Sequence, residues 1–142
     1  MIGGVSRWTC PVCERQFARV HQVHTCAPGC TVDETFAGRP PVQRAIYDAL
    51  AEHLATLGPV HVDAVSVGVF LKSESKIAEV RPMAKAVSLL LIVPRAIETP
   101  RAVRSVRISG GRTVLDLRLA SVDDVDEELR GWLIEAYDAA TD

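Results

Sequence analysis

Between Pro40 and Pro59 the apolar positions recur at helical spacing. Val42, Ile46, Leu50, Leu54 and Leu57 form one stripe, Pro40-Pro41 sets the entry and Gly58-Pro59 the stop. From Val60 the period shortens to two. Val60, Val62 and Ala64, then Val65, Val67, Val69 and Leu71, predict one long strand with a bulge near Ala64. Ser73-Glu74-Ser75 turns it into a second strand, Lys76 to Arg81, which Pro82 ends. Ala86 to Val93 is apolar almost throughout and predicts a central strand buried on both faces. Val103, Val106 and Ile108 alternate with Arg104 and Arg107, Gly110-Gly111 makes a hairpin turn, and Thr113 to Leu119 returns. Ser121, with Asp124 three residues on, caps a last helix striped by Val122, Val125, Leu129, Trp132, Leu133, Ala136 and Tyr137. Asp123, Asp124 and Asp126 then sit at the positive end of its dipole.

Ahead of this region the pattern is weaker. Thr31-Val32-Asp33-Glu34 has the form of a capping box, opening one turn that ends near Gly38, with Phe36 as its docking residue. Glu14 to His24 can form a short helix with Phe17, Val20, His21 and His24 on one face. The fold class expected is α+β: a small N-terminal knuckle rich in Cys and His, a helix, about five mostly antiparallel strands and a C-terminal helix. It divides into a finger-like segment, residues 1–30, and an α+β domain, residues 31–142.

Composition narrows the class without naming a function. With 142 residues, 48% hydrophobic and 24% charged, the chain can bury one ordinary core, which excludes a disordered or collagen-like protein. The longest apolar run, Ala86 to Val93, is far short of the roughly 18 residues a membrane span needs. Met1 to Cys10 lacks a basic flank followed by an apolar stretch, so a soluble, unexported, cytoplasmic protein with no membrane partner is expected. Charge is segregated: Lys72 to Arg118 holds 10 basic and 4 acidic residues, and Leu119 to Asp142 holds 1 and 8. Pairing between adjacent elements is the expected outcome, because no basic block is continuous.

All four cysteines, Cys10, Cys13, Cys26 and Cys30, fall in the first 30 residues together with His21 and His24. Thiols clustered with imidazoles, in a chain without a secretion signal, argue for a metal site over disulfides. Thiolate and imidazole in a tetrahedral shell suit Zn2+. Cys10-Pro11-Val12-Cys13 is a chelating turn whose second pair must arrive from downstream. Finger spacing offers Cys26 and Cys30, but Pro28-Gly29 between them opposes a helix carrying both. The favoured shell is Cys10, Cys13, His24 and Cys26, with Cys30 and then His21 as replacements for His24. Ligands outnumber places and Glu14 has no second carboxylate beside it, so the expected ion is closed and structural. A redox dithiol at Cys10 and Cys13 would need the preceding strand of a βαβ unit, which this sequence lacks.

Trp8, Cys10-Pro11, Cys13, Phe17, Gln22, His24 and Cys26, followed by Pro59-Val60, Phe70 with Lys72, Ala78-Glu79-Val80-Arg81-Pro82 and Trp132-Leu133-Ile134-Glu135-Ala136-Tyr137, carry a family likeness. In these residues the chain resembles bacterial proteins of the domain of unknown function 5655 family that bear a short N-terminal Cys/His finger. The resemblance spans nearly the whole chain and implies His24 over Cys30 as a ligand. It implies a loose association with nucleic acid and no established activity. Two positions depart from it: Glu14 stands where glycine is usual, and Thr113 to Leu115 lacks the aromatic and histidine expected there.

Three kinds of function follow from these residues. The first is a zinc-stapled, non-catalytic binding or accessory module with a nucleic-acid or protein partner. The second is a regulatory domain that binds a small ligand on its sheet through Lys72, Glu79, Arg81 and Lys85. The third, a metal-dependent nuclease, would use Asp63 with Glu74-Ser75-Lys76, but those last three lie in a serine-flanked turn, where a solvated hairpin tip is the simpler reading. Arg95, Arg101, Arg104, Arg107, Arg112 and Arg118 do not gather into one patch, since Arg104 and Arg107 face opposite sides of a strand. Aromatic residues are only 5% of the chain, too few for a base-stacking groove. The sequence leaves the oligomeric state open.

Overall fold

The computed structural model describes residues 7–24 and 26–141. A two-stranded hairpin, Trp8–Thr9 (β1) with Gln16–Phe17 (β2), leads into Gly29–Cys30 (β3) and the helices Val32–Thr35 (α1) and Pro41–Ala55 (α2). There follow His61–Val65 (β4), Gly68–Lys72 (β5), Lys76–Pro82 (β6), Val87–Val93 (β7), Ala102–Arg107 (β8), Thr113–Leu119 (β9) and the helix Glu127–Thr141 (α3). β3 to β9 build one antiparallel sheet in the order β3-β4-β5-β6-β7-β9-β8, so the chain visits the outer edge at β8 before β9 fills the place beside β7.

The fold is therefore mixed helix and sheet, but among the described residues it has seven strands in one sheet plus two in the hairpin, where about five were expected. The predicted long strand from Val60 to Leu71 is a hairpin, β4 and β5, turning at Ser66-Val67. Val67 is exposed in that turn and keeps the period of two, so the apolar pattern runs through the reversal unbroken. β3 is too short to show a period. Glu14 to His24 is not helical either: it contains β2 and turns, with Glu14 and His21 at φ +63° and +57°. Glu14 thus holds a left-handed conformation that glycine adopts at less cost, which gives a physical reason for glycine at that place. The single predicted last helix is two pieces. The Ser121/Asp124 capping box is present, but it closes a short turn over Val122–Asp124, and Asp126 caps α3 by accepting the Leu129 N–H at 3.0 Å.

One sheet face carries the core. Val69, Leu71, Ala78, Val80, Leu89, Leu91, Leu115 and Leu117 alternate along their strands toward α2 and α3, where Ile46, Leu50, Leu54, Leu129, Trp132 and Leu133 meet them. Val42, expected in the α2 stripe, is partly exposed, and Gln43 is buried in its stead, its amide donating to the Met83 carbonyl at 2.7 Å. β7 is central as expected but not covered on both faces: Leu90 and Ile92 are half-buried. Phe36 docks as expected, its ring centroid 5.4 Å from that of Tyr47. The basic and acidic stretches do pair: Arg95 binds Glu135, and Arg101 binds Asp126 and Glu128. Arg104 and Arg107 lie on opposite faces, opposite Asp116 and Thr113 in register. Among the described residues, no helix is long and apolar enough to cross a membrane.

The turn after α2 leaves no room for a side chain. Gly58 has φ +155°, and a Cβ there would lie 2.2 Å from the Tyr137 hydroxyl, which donates to the Pro59 carbonyl at 3.1 Å. Gly58→Ala is expected to destabilise the domain by about 1–3 kcal/mol, measured by urea unfolding. Tyr137→Phe in that background should recover part of the loss, whereas strictly additive effects would show that the hydroxyl is not the obstacle.

Candidate functional site

The first hairpin is short because it has one task, to bring two thiols round a turn. Trp8 pairs with Phe17 and Thr9 with Gln16, while the Cys10 N–H donates to the Arg15 carbonyl and the Glu14 N–H to the Cys10 carbonyl. The segment downstream folds back so that His24 stacks on Phe17, with ring centroids 3.8 Å apart. Cys10, Cys13, His24 and Cys26 then offer four ligand atoms, all within 4.8 Å of one another. Individual edges are 3.8 Å between the Cys10 and Cys26 sulfurs, 3.4 Å from Cys13 Sγ to His24 Nε2 and 3.3 Å from Cys26 Sγ to His24 Nε2. A tetrahedron with metal–sulfur bonds of about 2.3 Å and metal–nitrogen bonds of about 2.0 Å has edges of about 3.5–3.8 Å, so the set can hold a metal ion.

Two further observations fit that use. His24 Nδ1 lies 2.7 Å from the Gln22 carbonyl, which can only accept. The Nδ1–H therefore donates, and the bare Nε2 faces the sulfurs. In the cluster without metal, hydrogen bonding from the Cys13 backbone N–H brings the Cys10 thiol down to about 6. Burial, then the neighbouring Cys10, pushes Cys26 up to about 11. Ionising one thiol thus penalises the next, and a dication removes that penalty. The replacements are placed elsewhere: Cys30 Sγ contacts the Thr31 carbonyl and Thr35 Oγ1, and the His21 ring packs 5.2 Å from Trp8.

A buried ionic contact welds the finger to the sheet. Arg15, in the finger, donates from Nε and Nη2 to the Asp63 carboxylate of β4 at 3.0–3.1 Å. Lys72, on β5, donates to the same carboxylate at 2.7 Å and to the Gln16 carbonyl at 3.3 Å. All three charged side chains are below a tenth exposed. Burial alone would raise the Asp63 pKa, yet the bonds from Arg15 and Lys72 hold it below its ordinary 3.8, while burial lowers that of Lys72 despite Asp63. Asp63 therefore contributes stability above pH 3.8, and that contribution is lost as the pH falls through its lowered value. Phe17 and Phe70 line the contact, with Lys72 Nζ 4.3 Å from the Phe17 ring centroid and the Arg15 guanidinium 5.1 Å from that of Phe70.

Docked this way, the finger does not cover the sheet completely. The face turned away from the helices carries Asp63, Phe70, Glu79, Leu90 and Asp116 in one cross-strand row. Between this face and the finger lies a cleft of about 550 Å³. Lys72, Glu79 and Arg81 line it, as do Arg7, Arg19 and Lys76. Lys85 does not: it is exposed on the β6–β7 turn. Glu79 is buried and receives Lys76 at 3.4 Å and a contact from Arg81. Asp63, named above with Glu74-Ser75-Lys76 for a hydrolase, is committed to two cations, and the Ser73-Glu74-Ser75 tip is tied to the end of α3 by Ser75 N–H to the Ala140 carbonyl at 3.0 Å. The basic finger wall of the cleft was not legible in sequence, since Arg7, Arg15 and Arg19 join it only through docking.

A family model described as Domain of unknown function (DUF5655) matches residues 32–140, leaving the Cys/His segment outside the match. No curated protein and no solved structure matches the chain.

Cys13→Ser is expected to abolish stoichiometric metal, measured by elemental analysis, while the circular dichroism of the sheet and helices stays near native. His24→Ala should lose the metal and Cys30→Ala keep it; the reverse outcome would reassign the ligands. Asp63→Ala leaves two buried cations without a counter-charge and should cost about 3–5 kcal/mol of finger docking. Hydrogen exchange of the β1–β2 amides reads that cost, and unchanged protection would contradict it.

Proposed function

Because the chain belongs to the domain of unknown function 5655 family, whose description names no activity, we propose a function from its geometry: a zinc-stapled, non-catalytic binding module. The observation that carries this reading is the Arg15–Asp63–Lys72 contact, which converts a metal-ordered finger into one wall of a cleft. Zinc is the ion that best suits three thiolates and one imidazole at tetrahedral edges, and it would be held by Cys10, Cys13, His24 and Cys26. With four protein ligands the ion supplies folding free energy to the first 30 residues and no open position for substrate. Residues 1–30 are read as the finger segment and 31–142 as the domain, with β3, Gly29–Cys30, adding the finger's last two residues to the sheet beside β4.

Recognition belongs to the cleft. Its volume falls in the range of small-molecule sites, roughly 300–1,000 Å³, and three of the four binding residues read from the sequence, Lys72, Glu79 and Arg81, converge on it. That favours a small ligand over a nucleic-acid or protein partner docked on the finger tip, although Val20 and Val23 are exposed there. Nothing in this reading needs a membrane, and a cytoplasmic setting keeps the thiols reduced for the ion.

The test is a thermal-shift screen of the metal-loaded protein against small anions, metabolites and oligonucleotides, with and without a chelator. At least one class should raise Tm, and chelation should abolish the rise. A rise that fades steeply with salt would point to nucleic acid. Divalent-dependent turnover that is lost in Glu74→Gln would replace the binding module with a hydrolase.

A further inference from the structure

The cleft carries a charge imbalance that the docking contact does not consume. Arg7, Arg15, Arg19, Lys72, Lys76 and Arg81 line it, against Glu74, Glu79 and, behind the wall, Asp63. Among the described residues this leaves a surplus of three positive charges. Two of these cations also hold donors in reserve. Arg7 donates one terminal nitrogen to the Ser73 carbonyl at 2.6 Å, while its Nη1 is buried with no partner. A buried donor of this kind is costly unless something accepts from it. Arg81 is held as if to present its fork: its stem lies over Gly68, where a Cβ would come within 2.9 Å of Arg81 Cγ, and its Nε is engaged by Glu79. Among the described residues, neither terminal nitrogen of Arg81 has a protein acceptor.

Resting on the binding-module reading above, we propose that the cleft binds a phosphate monoester of a small molecule. The charge count selects the monoester. Its phosphate carries about −1.5 to −2 near neutral pH and three acceptor oxygens, a closer match to the surplus than a carboxylate or a phosphodiester, each with a single charge. Planar guanidinium forks suit phosphate oxygens in pairs, and Lys76 adds a point charge. The ester's organic part meets Phe70, Val65 and Val67, which give the same cleft an apolar side. Desolvation lowers the pKa of Arg7, in keeping with a cation waiting for an anion.

The experiment titrates the metal-loaded protein, by calorimetry, with inorganic phosphate, a nucleoside 5′-monophosphate, the parent nucleoside, and a short oligodeoxynucleotide with and without a 5′-phosphate. The monophosphate should bind, the nucleoside should not, and inorganic phosphate should bind more weakly. Arg81→Ala should lower the affinity at least about tenfold, and Lys85→Ala, outside the cleft, should leave it unchanged. Equal affinity of the 5′-phosphorylated oligonucleotide would place the monoester at a nucleic-acid end instead of on a free metabolite. Affinity for the oligonucleotide that ignores the 5′-phosphate, failure of the monophosphate to bind, or indifference to Arg81→Ala would overturn the assignment. If the monophosphate fails while another class raises Tm in the screen, the binding module stands and only its ligand is wrong.

Discussion

A carboxylate with two cationic partners decides how this protein is put together. Asp63 is buried on β4 and receives Arg15 from the finger and Lys72 from β5. Such a contact adds little net stability compared with an apolar one, but removing any member strands the others in a poorly solvated place. Its use here is orientation. The finger has few apolar groups with which to choose a docking pose, and a forked guanidinium on a fixed carboxylate leaves few alternatives.

The metal cluster and the ionic contact are coupled through backbone. Arg15 is two residues past Cys13, and its carbonyl accepts from the Cys10 N–H. An ion that fixes Cys10 and Cys13 therefore fixes where the Arg15 side chain leaves the hairpin. Phe17, stacked on His24 on one side and met by Lys72 on the other, joins the two sites physically. An ion held there would thus be coupled to Asp63, and so to the cleft.

Several other charges pair within the fold. The basic stretch before β8 and the acidic start of α3, conspicuous in the chain, cancel through Arg101 with Asp126 and Glu128. On the open sheet face Arg118 binds Asp116 and donates to Ser88. In the cleft under the finger six cations meet three carboxylates, and an enclosed volume lies beside them, which is why recognition is assigned there.

Much of this was legible along the chain, and for local reasons. The helix over Pro41–Ala55, the strands β6 to β9, the capping boxes at Thr31 and Ser121 and the Cys/His cluster that can hold a metal ion follow from periodicity, caps and the clustering of thiols with imidazoles, all of which act over a few residues. What failed also failed for a physical reason. Ser66-Val67 turns where the apolar alternation continues, because a period of two cannot register a reversal whose turn residue is itself valine. Residues 14–24 do not take the helix their apolar spacing allows; they turn through left-handed conformations at Glu14 and His21, and the thiols and His24 come together in the folded segment. Lys72, Glu79 and Arg81 could be picked as polar strand residues, but their company with Arg7 and Arg19 could not. The sequence by itself determined α1, α2, the strands β6 to β9 and a Cys/His cluster that can hold a metal ion; only the tertiary structure, through one ion pair between residues 48 positions apart, decided that a finger and a sheet would enclose a basic cleft.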